Sequence, residues 1–137
     1  MIYLITLDKA KKALEASEQK AKELGTAVTT TIVDEHGSVI AVSKMDGAIP
    51  ISPRFSYSKA FTSASLGMPS EGIGAYACEG KPYFGVNTIL GGEITPIAGG
   101  VPVKIEGKLV GGVGVGGSLD VSQDSQCAQE AARILTE

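Results

Sequence analysis

The sequence predicts an α+β domain in which helices pack on an antiparallel sheet. Three observations support this class: an amphipathic helical segment near each end, two pairs of strand-like runs each joined by a short turn, and two further helices between the pairs. Strands joined by a tight turn pair antiparallel, whereas parallel strands need a long crossover. No repeat or linker divides residues 1–137, so we expect a single domain.

The first half of the chain predicts a helix and a hairpin. Apolar residues recur at steps of three and four over 7–24, which is the spacing of one helix face. Thr6 suits the N-cap position, and Gly25 suits the left-handed position after the helix. The β-branched runs 26–33 and 39–45 flank a turn at Asp34–Gly37 and predict two paired strands.

The second half of the chain predicts two further helices, a second hairpin and a last helix. Ser52 is the predicted N-cap of a second helix that ends at Gly67, and a shorter helix follows. Residues 80–98 predict loop with room for one short strand, because Gly, Pro and Asn are frequent there. The runs "VPVKI" and "KLVGGVGVG" predict a second hairpin, and the last helix begins near Ser122.

Composition excludes several function classes. The net charge of −3 and the isoelectric point near 5.2 argue against a nucleic-acid binder. The apolar start "MIYLI" is too short for a membrane span or a signal peptide, so we expect a cytoplasmic protein without a membrane partner. The cysteines, Cys78 and Cys127, stand far apart and have no Cys or His company, so no metal site is expected.

Glycines concentrate in "GGVPVKIEGKLVGGVGVGG" (99–117), which holds eight of the chain's 18. Strand alternation places Gly112, Gly114 and Gly116 on one face of the second hairpin. A face without side chains lets another backbone or a flat ligand come unusually close. The alternatives are the C-terminal helix packing there, or a ligand lying against these glycines and the "GGVP" turn at Gly99 and Gly100.

Four stretches resemble the GlcG/HbpS family, which includes the C-terminal domain of PduO-type proteins: "VDEHGSVIAVSKMDGA" (33–48), "SYSKAFTSASLGMPS" (56–70), 99–117, and "QDSQCAQEA" (123–131). The resemblance covers nearly the whole chain. It implies a profilin-like α/β/α fold with a five-stranded antiparallel sheet, and assembly into homo-oligomers. It also implies a protein that binds a small ligand, with haem or another tetrapyrrole as the candidate cofactor.

Two groups of residues are candidates for ligand binding. Arg54, Tyr57 and Lys59 lie near the start of the second helix, where a cation could hold the carboxylate of a haem propionate or of a small organic acid. His36 is the only histidine and therefore the candidate axial imidazole for haem iron, although a hairpin turn also favours such a polar residue. Tyr57, Tyr76 and Met68 are alternative axial donors.

An enzymatic role in glycerol, propanediol or glycolate breakdown is the second hypothesis, and a purely structural assembly subunit is the third. The sequence contains no complete catalytic motif. If the protein is an enzyme, Lys59 and Asp46 are the acid–base pair to test. Lys59 could equally form a structural ion pair with Asp46 or with Asp124, and Asp124 could cap the last helix or accept amide hydrogens from the "GGS" loop.

Overall fold

The computed structural model describes residues 4–137. Residues 4–137 form four α-helices, α1 (Leu7–Leu24), α2 (Ser52–Leu66), α3 (Gly74–Ala77) and α4 (Val121–Leu135), and four strands, β1 (Thr29–Asp34), β2 (Val39–Lys44), β3 (Gly100–Ile105) and β4 (Lys108–Gly116). The apolar start "MIYLI" also predicts self-association, because a monomer would leave it exposed, but its residues Met1, Ile2 and Tyr3 lie outside the described residues.

The strands form one antiparallel sheet in the order β2-β1-β4-β3, with helices packed on it, which confirms the α+β class. The expectation of five strands is wrong for residues 4–137, where the sheet has four. The segment 80–98, the candidate for an additional strand, instead forms turns and two short 3-10 helices, Val86–Thr88 and Leu90–Gly92. Its glycines and prolines explain this, since proline cannot donate to a strand ladder and glycine weakens it.

The sheet separates two layers of different character. Helices α1 and α4 pack on each other and on one face, where Ile32, Val113 and Val115 belong to the main hydrophobic core. Helix α2 covers the other face, where Val33, Ala60 and Ala64 form a small cluster of buried apolar side chains. Hydroxyl pairs supplement this thin apolar layer: Thr29 bonds Ser52 (2.8 Å) and Thr31 bonds Ser56 (2.7 Å). The small side chains bring α2 close to the sheet.

Helix termini follow local chemistry, with one shift. The Thr6 hydroxyl accepts from the Lys9 amide at 3.2 Å, and Gly25 adopts φ +75° after α1, as predicted. Ser52 was expected to be the N-cap of α2, but Ile51 holds that position and Ser52 lies inside the helix. The reason is tertiary, because the Ser52 hydroxyl bonds Thr29 across the interface instead of a helix amide.

Candidate functional site

The glycine face of β4, Gly112, Gly114 and Gly116, lies against the backbone of α2. A Cβ on Gly112 would come within 2.6 Å of the Ala60 carbonyl oxygen, and one on Gly116 within 2.8 Å of the Phe55 Cβ. A Cβ on Gly114 would overlap the Ser56 carbonyl and the Ala60 amide. The neighbour that needs bare backbone is therefore α2. The prediction that the C-terminal helix packs on this face is wrong, because α4 packs on the opposite face of the sheet. Helix α2 also fills the space that a ligand would need against these three glycines.

Gly99 and Gly100 make room for one side chain of α2. A Cβ on Gly99 would lie 2.8 Å from Lys59 Nζ, and one on Gly100 would lie 2.8 Å from Ser63 Oγ. The Gly100 amide donates to Ser70 Oγ at 2.8 Å, and the Gly99 carbonyl accepts from the Val115 amide at 2.9 Å. The predicted "GGVP" turn is in fact the start of β3, and its two glycines leave the space that the Lys59 side chain occupies.

Lys59 ends in a buried ion pair with Asp124. Its Nζ donates to Asp124 Oδ2 at 3.0 Å and to the Val115 carbonyl at 2.9 Å, and both side chains are at most 2% exposed. Asp124 Oδ1 accepts from the Ser118 amide at 3.0 Å, so this carboxylate does bind the loop before α4. Burial lowers the pKa of Lys59 and raises the pKa of Asp124, and their mutual attraction opposes both shifts.

The hypothetical catalytic pair of Lys59 and Asp46 is not assembled. Asp46 lies exposed in the turn after β2, whereas the Lys59 ammonium is committed to Asp124 and Val115. Of the two ion pairs that the sequence left open, the structure forms the one with Asp124. The N-cap of α4 is Asp120, whose carboxylate accepts from the Ser122 amide at 3.0 Å.

Arg54 and Tyr57 lie together in an open cleft, which we call the helix cleft. It occupies about 680 Å³ between α2 and the turn at 91–93, and its lining consists of Pro50, Pro53, Arg54, Tyr57, Ser58, Gly91, Gly92 and Glu93. A smaller chamber of about 330 Å³ shares Ser58 and Gly92 with it and is lined further by Phe55, Lys59, Asn87, Ile94, Thr95, Pro96 and Ile97. Burial and the nearby Glu93 carboxylate raise the pKa of Tyr57.

His36 lies in a different place, at the tip of the β1–β2 hairpin. Asp34 Oδ1 accepts from the amides of His36 (2.8 Å) and Ser38 (3.0 Å), which fixes the turn. Gly37, at φ +79°, lies against the Phe61 ring, where any Cβ would be within 2.7 Å. The turn is therefore clamped both by its own aspartate and by α2.

A second cleft of about 690 Å³, the hairpin cleft, opens beside this turn. Its walls are Leu4, Ile5, Thr6, Leu7, Asp34, Glu35, His36, Ile40, Lys108 and Val110. The imidazole Nε2 lies 3.4 Å from a Glu35 carboxylate oxygen, which leaves the other ring nitrogen for a ligand. The hairpin and helix clefts share no lining residue, so the candidate residues divide into two sites.

Sequence reasoning missed the partners of both sites. Glu93, Asn87 and Thr95 lie in a segment without periodicity, where no pattern indicates which side chains turn toward α2. The apolar wall of the hairpin cleft combines the start of α1 with two strands, which only the fold brings together. Between residues 4 and 137 no cluster of three His, Cys, Asp or Glu side chains suits a metal ion, and no helix is long and apolar enough to cross a membrane.

Comparison with known proteins places this architecture in a family. The model of the family described as "Haem degrading protein HbpS-like" matches residues 5–133. An uncharacterised 15.0 kDa protein from the dhaT-dhaS intergenic region of Citrobacter freundii is 34% identical, over 99% of this chain and 95% of its own. Protein GlcG of Escherichia coli (strain K12) is 31% identical, over 82% of this chain and 81% of its own.

A solved structure extends the likeness to three dimensions. The crystal structure of a PduOC:heme complex superposes with a TM-score of 0.90 at 25% identity, and the match covers 97% of this chain and 95% of that one. Sequence and fold therefore agree over almost the full length, and the chain belongs to the GlcG/HbpS family.

Proposed function

We propose that this protein binds haem or a closely related tetrapyrrole in the hairpin cleft, with His36 as the axial ligand. The observation that carries the proposal is the position of the chain's only imidazole on the wall of a cleft in which five of the other nine lining residues are aliphatic. Haem sites combine an axial donor with an apolar enclosure for the macrocycle. The PduOC relative is named as a haem complex, which supports the same ligand class here.

The residues of the hairpin cleft fit such a group. Leu4, Ile5, Leu7, Ile40 and Val110 offer aliphatic surface to a flat ring, and Lys108 offers a cation to a propionate. The hydrogen-bonded turn fixes the backbone at His36, and Glu35 stands beside one imidazole nitrogen as a partner that orients the ring. A bound haem would supply its iron centre, and these residues would hold and orient it.

Tyr57, one of the alternative axial donors, fits less well than His36. Burial and Glu93 raise the pKa of Tyr57, so its phenol resists the deprotonation that iron ligation by tyrosine requires. Lys59, expected to meet an anionic ligand, is bound to Asp124 and Val115. His36 is free of such commitments except for its contact with Glu35.

Hemin titration followed by Soret absorbance tests the proposal. We expect a shifted Soret band that saturates at one hemin per chain, and His36→Ala should weaken binding about tenfold or more and move the band. Tyr57→Phe, which removes the rival phenol and keeps its ring, should leave the band and the affinity unchanged.

Two outcomes would contradict the assignment. Absence of saturable hemin binding overturns the tetrapyrrole function itself. Binding with an unaltered spectrum in His36→Ala overturns the hairpin cleft as its place, and a loss in Tyr57→Phe instead would move the site to α2.

A further inference from the structure

The helix cleft carries charge that the proposed haem function does not use. Arg54 and Glu93 line the same cavity, one on α2 and one on the facing turn. The ion pairs found among residues 4–137 include neither of them, so a free cation and a free anion face one space without neutralising each other. The influence of Glu93 reaches Tyr57, which lies in the same lining and whose pKa it helps to raise.

A ligand that satisfies both groups must itself carry both charges. A carboxylate pairs well with the planar guanidinium of arginine, and an ammonium group pairs with a carboxylate. A simple carboxylate would meet repulsion from Glu93, and a simple amine would meet repulsion from Arg54. The charge pattern therefore favours a zwitterion over either singly charged compound.

The adjoining chamber has room for the remainder of such a ligand. It shares Ser58 and Gly92 with the helix cleft and therefore adjoins it, and at about 330 Å³ it is near the lower end of the size range of ligand pockets. Phe55, Ile94 and Ile97 give it apolar surface, and Asn87 and Thr95 add polar groups. Gly92 lines both cavities and carries no side chain where they adjoin.

We propose that the helix cleft is a binding site for a free α-amino acid, whose carboxylate contacts Arg54, whose ammonium group contacts Glu93, and whose side chain enters the chamber beyond Ser58. This site is separate from the hairpin cleft and goes beyond the proposed haem function. The helix cleft thus makes the protein a two-site binder.

Isothermal titration with L-alanine, L-leucine and L-glutamine, supported by ligand-observed NMR, tests the site. We expect saturable binding of at least one, and leucine is favoured because the chamber walls are largely apolar. For leucine, the matched probes are 4-methylpentanoate, which lacks the ammonium group, and leucinamide, which lacks the carboxylate. Each should bind about tenfold more weakly, or not at all, because one charged contact is missing.

Variants assign the two contacts. Arg54→Gln and Glu93→Gln should each weaken binding of the amino acid about tenfold, whereas Lys81→Gln and Glu79→Gln on the neighbouring exposed segment should not change it. Failure of all three amino acids to bind at millimolar concentration overturns the proposal. Equal binding of 4-methylpentanoate and leucine, or unchanged affinity in Arg54→Gln, overturns it as well. Hemin binding by His36 is measured separately and decides neither result.

Discussion

Lys59 is the residue whose environment departs most from what its chemistry prefers. Its ammonium group lies close to Gly99 and donates hydrogen bonds to Asp124 and to the Val115 carbonyl. Removing two charges from water costs several kcal/mol, which their attraction offsets only in good geometry. The pair ties α2 to the first turn of α4, so its role in this structure is to join the two helical layers.

We expect Lys59→Met to lower the free energy of unfolding by about 3–5 kcal/mol, because Asp124 is then buried without a counter-ion. The double variant Lys59→Met/Asp124→Leu should regain most of that loss, since it leaves no charge unpaired. Urea unfolding at neutral pH measures both. Equal losses in the single and double variants would contradict the explanation by an uncompensated charge.

The pH dependence of the same pair has a defined sign. Because the pKa of Asp124 is raised on folding, its contribution to stability falls as pH rises from the ordinary aspartate value of 3.8 through the raised native pKa. Because the pKa of Lys59 is lowered, its contribution recovers as pH rises from the native pKa toward 10.5. The free energy of unfolding of the wild-type protein, relative to that of Lys59→Met/Asp124→Leu, should therefore be lowest between these two pH ranges.

At the scale of single residues, helix caps and turns were predictable from the sequence, whereas contacts between residues distant in sequence were not. Thr6, Gly25 and the Asp34 turn act through neighbours within four residues, so the sequence contains their whole environment. The choice of Asp124 as the partner of Lys59 depends on how the chain folds over a sequence separation of 65 residues. No sequence pattern singled out Glu93 as a site residue, because its role depends on lining the same cleft as Arg54.

Among the elements, the packing of α2 on β4 decides the shape of the molecule. The glycine face brings the helix backbone nearly to the strand backbone, with hydroxyl pairs on the adjacent β1. The sequence predicted that something would lie flush against these glycines but named the wrong helix. Periodicity assigns residues to a face, and it does not say which of several helices covers that face.

We expect Gly114→Ala to destabilise the protein by about 3 kcal/mol, since its Cβ would overlap backbone atoms of Ser56 and Ala60 that cannot rotate away. The matched control is Gly74→Ala at the start of α3, where a Cβ meets nothing within 4 Å and φ is −56°. Thermal or urea unfolding compares the two. A Gly114→Ala variant as stable as the wild-type protein would contradict the close contact.

At the scale of the whole molecule, the surface carries, besides the two clefts, an exposed segment at 76–90 with several large apolar side chains. Tyr76, Tyr83, Phe84, Ile89 and Leu90 are each at least 50% exposed, within the irregular stretch between α2 and β3. Such a concentration of large apolar side chains is typical of surfaces that bind another protein. It supports the expectation of a homo-oligomer independently of the three residues at the start of the chain.

We expect light scattering to give a mass that is a multiple of 14.0 kDa, and Phe84→Ser/Leu90→Ser to lower it, because contact area is lost. Leu119→Ser is the matched control, since Leu119 is 96% exposed but lies outside this segment. A 14.0 kDa species alone at micromolar concentration would contradict self-association. An effect of Leu119→Ser equal to that of the double variant would contradict the choice of surface.

The glycine face also limits how this chain can diverge. Any lineage or engineered library that places a side chain at 112, 114 or 116 must move α2 outward, which would displace Arg54 and Lys59 with it. Mutational tolerance should therefore be low at three positions that touch no ligand, and variants intended to alter binding are better sought on the loop opposite the helix.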